Sequence, residues 1–412
     1  MPKNWAGNVV FSTGHLEAPT SAGGLRDLVA GADRVHVLGA GHSFSRIADT
    51  TGTLVTLRDM PDVFDVDTSA GTVRVGAGVR LAELAARLHE RGLALHNMPS
   101  LPHITVAGTI TTATHGSGDT NPSLASAVRS VDLVTADGST LTLAEGDDRL
   151  DGAVVSFGAL GVMTAVELAV VPAFEVEQRV HEGLAWSVLF DHSAELFAQA
   201  YSVSVFTDWQ GSCSAWVKRR VDDHAPDLAW AGTHPADGPR HPIPGISAEH
   251  CTPQLGEVGP WHERLPHFRP EFTPSVGAEL QSEYMVPRAH AGEAVRAVHE
   301  LGSVIGPVLQ TAEIRTVAPD RFWLSFACGR PSLAFHFTWV PDPAAVRPVL
   351  ARIEEALAPW AVRPHWGKLY EAGAEVLAPR YEQWSAFAGL LTDLDPEGKF
   401  RNEAVDGLFP RP

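Results

Sequence analysis

An α+β fold in two domains is what this sequence predicts, and three observations carry the prediction. Short runs of alternating apolar and polar residues recur, bounded by turn residues, as in antiparallel hairpins. Helical stretches are interspersed without the strict strand–helix alternation of a parallel sheet. The composition then changes at about Pro172, and a second set of strands and helices follows. A chain of 412 residues is long enough for two cores. Hydrophobic residues at 44% against 19% charged are ordinary for a folded, soluble chain.

In chain order, Arg34-Val35-His36-Val37-Leu38 reads as a short buried strand, and Gly39-Ala40-Gly41-His42-Ser43-Phe44 as the turn after it. Glycine lets backbone approach a ligand without Cβ hindrance, and successive N–H groups in such a turn make a concavity for phosphate oxygens. A histidine inside it, His42, points where a phosphate-bearing cofactor would lie. An ordinary tight turn with a solvated histidine is the plain alternative for this segment alone. A Rossmann dinucleotide site needs a third, helix-opening glycine, and Phe44 stands there instead.

Phe64–Asp67 and Thr72–Val75 flank a turn and predict a hairpin; Leu81, Leu84, Ala85 and Leu88 then follow at helical spacing, closed by Arg91-Gly92. Val131–Thr135 and Thr140–Leu143 predict a second hairpin. The glycine-punctuated apolar stretch from Val154 to Val171 is expected at a buried edge of the same domain. From Pro226 to Pro260 a proline-, glycine- and histidine-rich stretch with little periodicity reads as a long surface excursion.

Strands are predicted at Leu280–Val286, Thr311–Val317, Phe322–Ala327 and Leu333–Val340, and a helix at Pro343–Trp360 with Val346, Leu350, Ile353 and Leu357 on one stripe. Period two places Glu313 with Arg315, His336 with Thr338, and Gln281 with Glu283, each pair on one strand face. Phe335, Phe337 and Trp339 take the other face. A polar face of this kind is either solvated or roofs a pocket. Mixed Glu, Arg, His, Thr and Gln, rather than Lys, Glu and Thr, favour a pocket for hydroxyl groups.

The net charge of −18 disfavours nucleic acid and anionic lipid as partners. Cys213, Cys251 and Cys328 form no CxxC pattern, and the 19 histidines form no HxxxH or HExxH, so no metal site is expected. The cysteine usage, the lack of an apolar leader at Met1–Asn8 and the lack of a spanning run lead to the expectation of a cytoplasmic protein.

The run Asn97-Met98-Pro99-Ser100-Leu101-Pro102-His103-Ile104-Thr105-Val106-Ala107-Gly108-Thr109-Ile110-Thr111-Thr112-Ala113-Thr114-His115-Gly116-Ser117-Gly118 is rich in small and hydroxylated residues. With the turn at Gly39–Ser43 it resembles the FAD domain of the vanillyl-alcohol-oxidase superfamily. His365-Trp366-Gly367-Lys368 and Asp395–Asn402 resemble the aldonolactone oxidoreductase branch. Glu279–Tyr284, Thr311–Val317 and His336–Trp339 are close to bacterial alditol (xylitol) oxidases.

The resemblance implies a PCMH-type FAD-binding domain over 1–173 and a substrate domain on an antiparallel sheet over 174–364. A segment over 365–412 would complete the active site and return to the first domain. It implies FAD bonded covalently through His42. Gly39, Ala40, Gly41, Ser43, Phe44, Ser100, Thr105, Gly108, Thr112, Ala113, Thr114, His115, Val162 and His365 would be its other contacts. The terminal hydroxyl of an alditol such as xylitol or sorbitol would be oxidised to the aldose by hydride transfer to flavin N5, with O2 giving H2O2. Lys368 and Arg315 are the implied catalytic groups, and which of them plays the larger part stays open. Ser100, Glu313, His336, Thr338 and Gln281 would complete the substrate contacts, and a monomer is expected. A sugar-1,4-lactone oxidase or dehydrogenase is the alternative in the same family. A nicotinamide dehydrogenase lacks its third glycine, and a non-catalytic sugar binder has no need of the phosphate-cradling turn. One position departs from the alditol oxidase pattern: Pro99 stands where a small alanine is expected, beside the flavin edge where oxygen must arrive.

Overall fold

The computed structural model describes residues 1–211, 213–272 and 278–411. Near the start, Leu16–Glu17, Thr53–Val55 and Val35–Val37 pair in that order as a small parallel sheet. The helix Ala22–Gly31 packs beside it and is capped by the Ser21 hydroxyl, which accepts from the Gly24 N–H.

A five-stranded antiparallel sheet follows, in the order Phe64–Asp67, Thr72–Gly76, Val162–Ala169, Val128–Val134 and Thr140–Ala144. Both expected hairpins are there. The stretch expected at an edge is instead the central strand, because Val162–Ala169 inserts between the hairpins and bonds to one strand of each. The helix Leu81–His89 buries Leu81, Leu84, Ala85 and Leu88. Gly92 ends it with φ +71°, a conformation strained for any residue with a Cβ.

A nine-stranded sheet is the other main layer. Its spine runs Glu175–Leu184, Cys213–Arg220, Ser202–Thr207, Leu309–Val317, Ser332–Trp339 and Leu280–Pro287. One face is apolar: Tyr284, Ile314, Phe335, Phe337 and Trp339 share a core with helices Ala291–His299 and Pro343–Leu357. The second helix begins at Asp342, whose carboxylate accepts from the Ala344 and Ala345 N–H groups, and buries Val346, Leu350, Ile353 and Leu357 as their spacing predicts.

Two further expectations are corrected. Phe322–Ala327 is not a strand but a set of buried turns. The Asp320 carboxylate accepts from the Phe322 N–H and the Ser325 hydroxyl (2.6 Å), drawing the backbone into a coil while its alternating side chains still reach the core. The stretch Pro226–Pro260 is also more than an excursion: His241, Pro242 and Ile243 line the main cavity, and the Thr311 hydroxyl donates to the Pro242 carbonyl (2.9 Å). At the C-terminal end Lys399 Nζ donates to the carbonyls of Val29 and Ala136, and Asn402 Nδ2 to those of Ile47 and Asp49.

Candidate active site

One cavity of about 480 Å³ separates the glycine turn from the polar face of the large sheet. Its first wall is mostly backbone. Gly41 adopts φ +70°, and a Cβ on Gly39 would stand 2.6 Å from the Thr105 hydroxyl oxygen, so the turn closes on the 100–115 segment only with glycine there. The turn is fixed from two sides. Asn4 Nδ2 donates to the Ser43 carbonyl (2.9 Å) and Asn8 Nδ2 to that of Phe44 (2.8 Å). The Phe44 N–H donates to the Gly367 carbonyl (2.7 Å) and the Ser45 hydroxyl to that of Trp366 (2.8 Å), joining motifs more than 300 residues apart.

His42 lines this cavity with its ring stacked on Trp5, centroids 4.9 Å apart and planes 14° from parallel. Both ring nitrogens are buried without a hydrogen-bond partner among the described residues. Burial pulls the imidazole down to about 4, so the ring is neutral near pH 7. A neutral, buried imidazole left without such a partner calls for a group that the described residues do not supply.

The second wall is side chain. Register sets Gln281 opposite Thr338, Glu283 opposite His336, and His336 opposite Glu313. Glu283 is the hub of the cluster. Lys368 Nζ donates to its Oε2 (2.6 Å), Arg315 Nη2 donates to its Oε1, and His115 Nε2 lies 3.2 Å from Oε1. Burial opposes ionisation of Glu283, yet Arg315, then Lys368 and His115, hold it well below the carboxylate range. Lys368 also meets His336 Nδ1 at 2.8 Å. Burial, opposed by Glu283, lowers the Lys368 ammonium; burial and the Lys368 charge keep His336 neutral. Arg315 Nη1 points to the Ser100 hydroxyl at 3.4 Å, while its Nε is buried and unpartnered, 3.7 Å from Glu313. Glu313 accepts instead from His267 Nε2 (3.0 Å). The pairing of Glu313 with Arg315 that strand spacing suggests is therefore the weaker of its two links.

The structure brings His42, Gly39, Ala40, Gly41, Ser43, Phe44, Ser100, Thr105, Gly108, Thr112, Thr114, His115 and His365 to the cavity. Gln281, Glu313, Arg315, His336, Thr338 and Lys368 line it as well. Ala113 and Val162 stand behind the wall: their neighbours Thr112, Thr114, Gly161 and Met163 line it. His115 Nδ1 donates to the Gly116 carbonyl (2.7 Å), and its buried Nε2 lies beside the carboxylate hub without a hydrogen bond to it. Sequence reasoning noted Glu283 only as sharing a face with Gln281, although alternation alone turns it inward. It missed Trp5, His241–Ile243 and His267, which lie in segments without periodicity.

Two family models match: one for an FAD binding domain over residues 16–144, and one described as D-arabinono-1,4-lactone oxidase over 278–408. An alditol oxidase from Streptomyces sp. is 53% identical over 98% of each chain. The chain belongs to the alditol oxidase and aldonolactone oxidoreductase family of FAD enzymes. An L-gulono-1,4-lactone dehydrogenase from Mycobacterium tuberculosis is 30% identical over 97% of each chain. Cholesterol oxidase from B. sterolicum shares the fold at 14% identity, with a TM-score of 0.81 over 99% of this chain and 96% of that one. FAD is the cofactor, and the first wall fits it: a glycine cradle for phosphates, an unpartnered imidazole, and small side chains from Ser100 to Thr114 that leave room for a flat ring.

Proposed function

We propose that this FAD oxidoreductase oxidises the terminal primary hydroxyl of acyclic alditols such as xylitol and sorbitol to the aldose, with O2 reduced to H2O2. The observation that carries this reading is the buried polar wall. Two cations converge on one carboxylate beside Ser100, His336, Thr338 and Glu313, hydrogen-bonding groups suited to a chain of hydroxyls. When bound, FAD would supply the hydride acceptor and the route of the electrons to oxygen.

The protein's own residues orient the alcohol and manage its proton. Glu283 occupies one hydrogen of Lys368 and one of Arg315, and His336 a second of Lys368, leaving donors on both cations for the reacting oxygen. Negative charge growing on that oxygen is stabilised by these preorganised donors. Burial lowers the Lys368 ammonium, so Lys368 in its amine form takes the hydroxyl proton, with His336 Nδ1 2.8 Å away to accept one of the resulting N–H groups. Glu313 and Gln281 take outer hydroxyls. His42, neutral and buried in the glycine turn, would carry the FAD covalently. We assign cofactor binding to residues 1–173, substrate binding to 174–364 and site completion to 365–412, in a cytoplasmic monomer. Among the described residues no helix is long and apolar enough to cross a membrane.

Lactone oxidation is the second reading, favoured by the D-arabinono-1,4-lactone oxidase match over 278–408. Steady-state rates on xylitol, sorbitol and L-gulono-1,4-lactone, with peroxide detection, decide between them. Preference for the lactone would overturn the alditol assignment. The intact mass of denatured active enzyme tests the linkage: polypeptide plus FAD is expected, and bare polypeptide would remove His42 from that role.

A further inference from the structure

Lys218 is a buried cation that the mechanism above does not use. It stands on the strand Cys213–Arg220, 2% exposed, under the polar wall. Its Nζ meets three acceptors: the carbonyls of Leu265 and Pro266 (3.2 Å for the latter) and His267 Nδ1 at 3.2 Å. An ammonium has three hydrogens, so this set is complete, and it makes His267 Nδ1 an acceptor. The imidazole proton then resides on Nε2, which meets Glu313 Oε1 at 3.0 Å. The ring cannot turn to escape. Phe206 and Trp216 pack edge-on against it at 5.2 and 5.4 Å, and the His267 backbone N–H donates to the Ser100 carbonyl (3.2 Å). With the ring held, only its tautomer is free to vary.

We propose that Lys218 is a positioning residue: it fixes the His267 tautomer so that Nε2–H holds the Glu313 carboxylate in place for the outer hydroxyls of a long polyol. The inference rests on the alditol reading above. Loss of the Lys218 charge removes the obligate donor to Nδ1, so the tautomer that puts the ring proton on Nε2 toward Glu313 is no longer enforced from that side. The groups facing Lys218 are Glu313, Arg315, Cys251 and His267, and burial brings its ammonium down to about 7.

The test compares xylitol with glycerol, which has fewer hydroxyls beyond the reacting one for Glu313 to hold. In Lys218→Met, KM for xylitol should rise on the order of tenfold, the scale of one charge-assisted hydrogen bond, and clearly less for glycerol. In a Glu313→Ala background the same substitution should add little. Equal losses on both substrates, or full additivity with Glu313→Ala, would show that Lys218 merely ties down the 265–267 segment. The unsubstituted enzyme gives an independent reading that needs no variant to fold. Its xylitol-to-glycerol KM ratio should climb as pH passes about 7, and a flat ratio from pH 6 to 8.5 overturns the proposal. Absence of any polyol turnover by the unsubstituted enzyme would overturn the substrate reading itself, and this inference with it.

Discussion

Residues 39–44 and 100–115 turn backbone and small side chains to the cavity, whereas the strands Leu280–Pro287, Leu309–Val317 and Ser332–Trp339 turn carboxylates, a guanidinium and an imidazole into it. The first wall works by what it omits. Its glycines and hydroxyl residues leave space and exposed N–H groups, and a change there acts through shape. The second wall works by mutual neutralisation. Each of its charges is buried and tolerable only because others face it, so a change there propagates. Substitution effects should therefore be local and cofactor-specific on the first wall, and cooperative on the second.

The largest effect is expected at the hub of the second wall. Glu283→Gln leaves Arg315 and Lys368 buried without their shared counter-ion, a loss of about 3–5 kcal/mol in stability. It should also be non-additive with Lys368→Met, since removing one cation relieves the other. Chemical denaturation of the two single variants and the double variant measures this. Additive losses would mean that the wall is a set of independent groups, and the contrast between walls would fall.

Next come the cations themselves. Arg315→Ala and Lys368→Ala should each lower turnover on xylitol on the order of a hundred- to thousandfold, the usual cost of one donor to developing charge. Flavin content should hardly change. Near-native turnover in both would mean that the polar face only lines space.

On the first wall, Gly39→Ala places a methyl 2.6 Å from the Thr105 oxygen, so either the Thr105 hydroxyl turns away from the Gly108 N–H or the 39–44 turn moves off the 100–115 segment. The expected result is reduced flavin content with kcat per bound flavin nearly kept, read from absorbance and turnover together. His42→Ala should release all flavin on denaturation. A Gly39→Ala enzyme with full flavin but low kcat would show that the two walls are not separable.

How far the sequence disclosed these walls follows from the same contrast. The first is built from residues close together in the chain whose types state their purpose, so Gly39–Ser43 and Ser100–His115 were legible as motifs. The strands of the second were legible from period two, and so were the inward turns of Glu313, Arg315, His336 and Thr338. Their pairing was not: Glu313 takes His267 from an irregular run 46 residues earlier, and nothing local marks that partner. Phe322, Leu324 and Phe326 mimic a strand because spaced apolar side chains are also buried by a chain of turns when a carboxylate such as Asp320 gathers the backbone. The central position of Val162–Ala169 depends on two hairpins folding on either side of it, which no property of the strand itself records.

The smallest expected effect tests cooperativity on the second wall through pH. His267 is buried and neutral; burial first, then the Lys218 charge, brings it from 6.5 to about 4. An unfolded chain binds a proton at this histidine as pH falls through 6.5, while the folded chain refuses it until about 4. Unfolding therefore takes up protons in that window, and stability falls as pH is lowered across it, then levels. Folded His115, His336 and His365 are lowered too, and they steepen the same slope. His267→Asn removes one of these sites. It should flatten the dependence of unfolding free energy by up to about 1.4 kcal/mol per pH unit. The measurement is urea unfolding between pH 6.5 and 5, above the range in which Glu283 and Glu313 begin to protonate. An unchanged slope would mean that His267 is charged in the folded protein. Its Nδ1 would then carry a proton toward Lys218 rather than accept one, and the link from Lys218 to Glu313 would have to be redrawn.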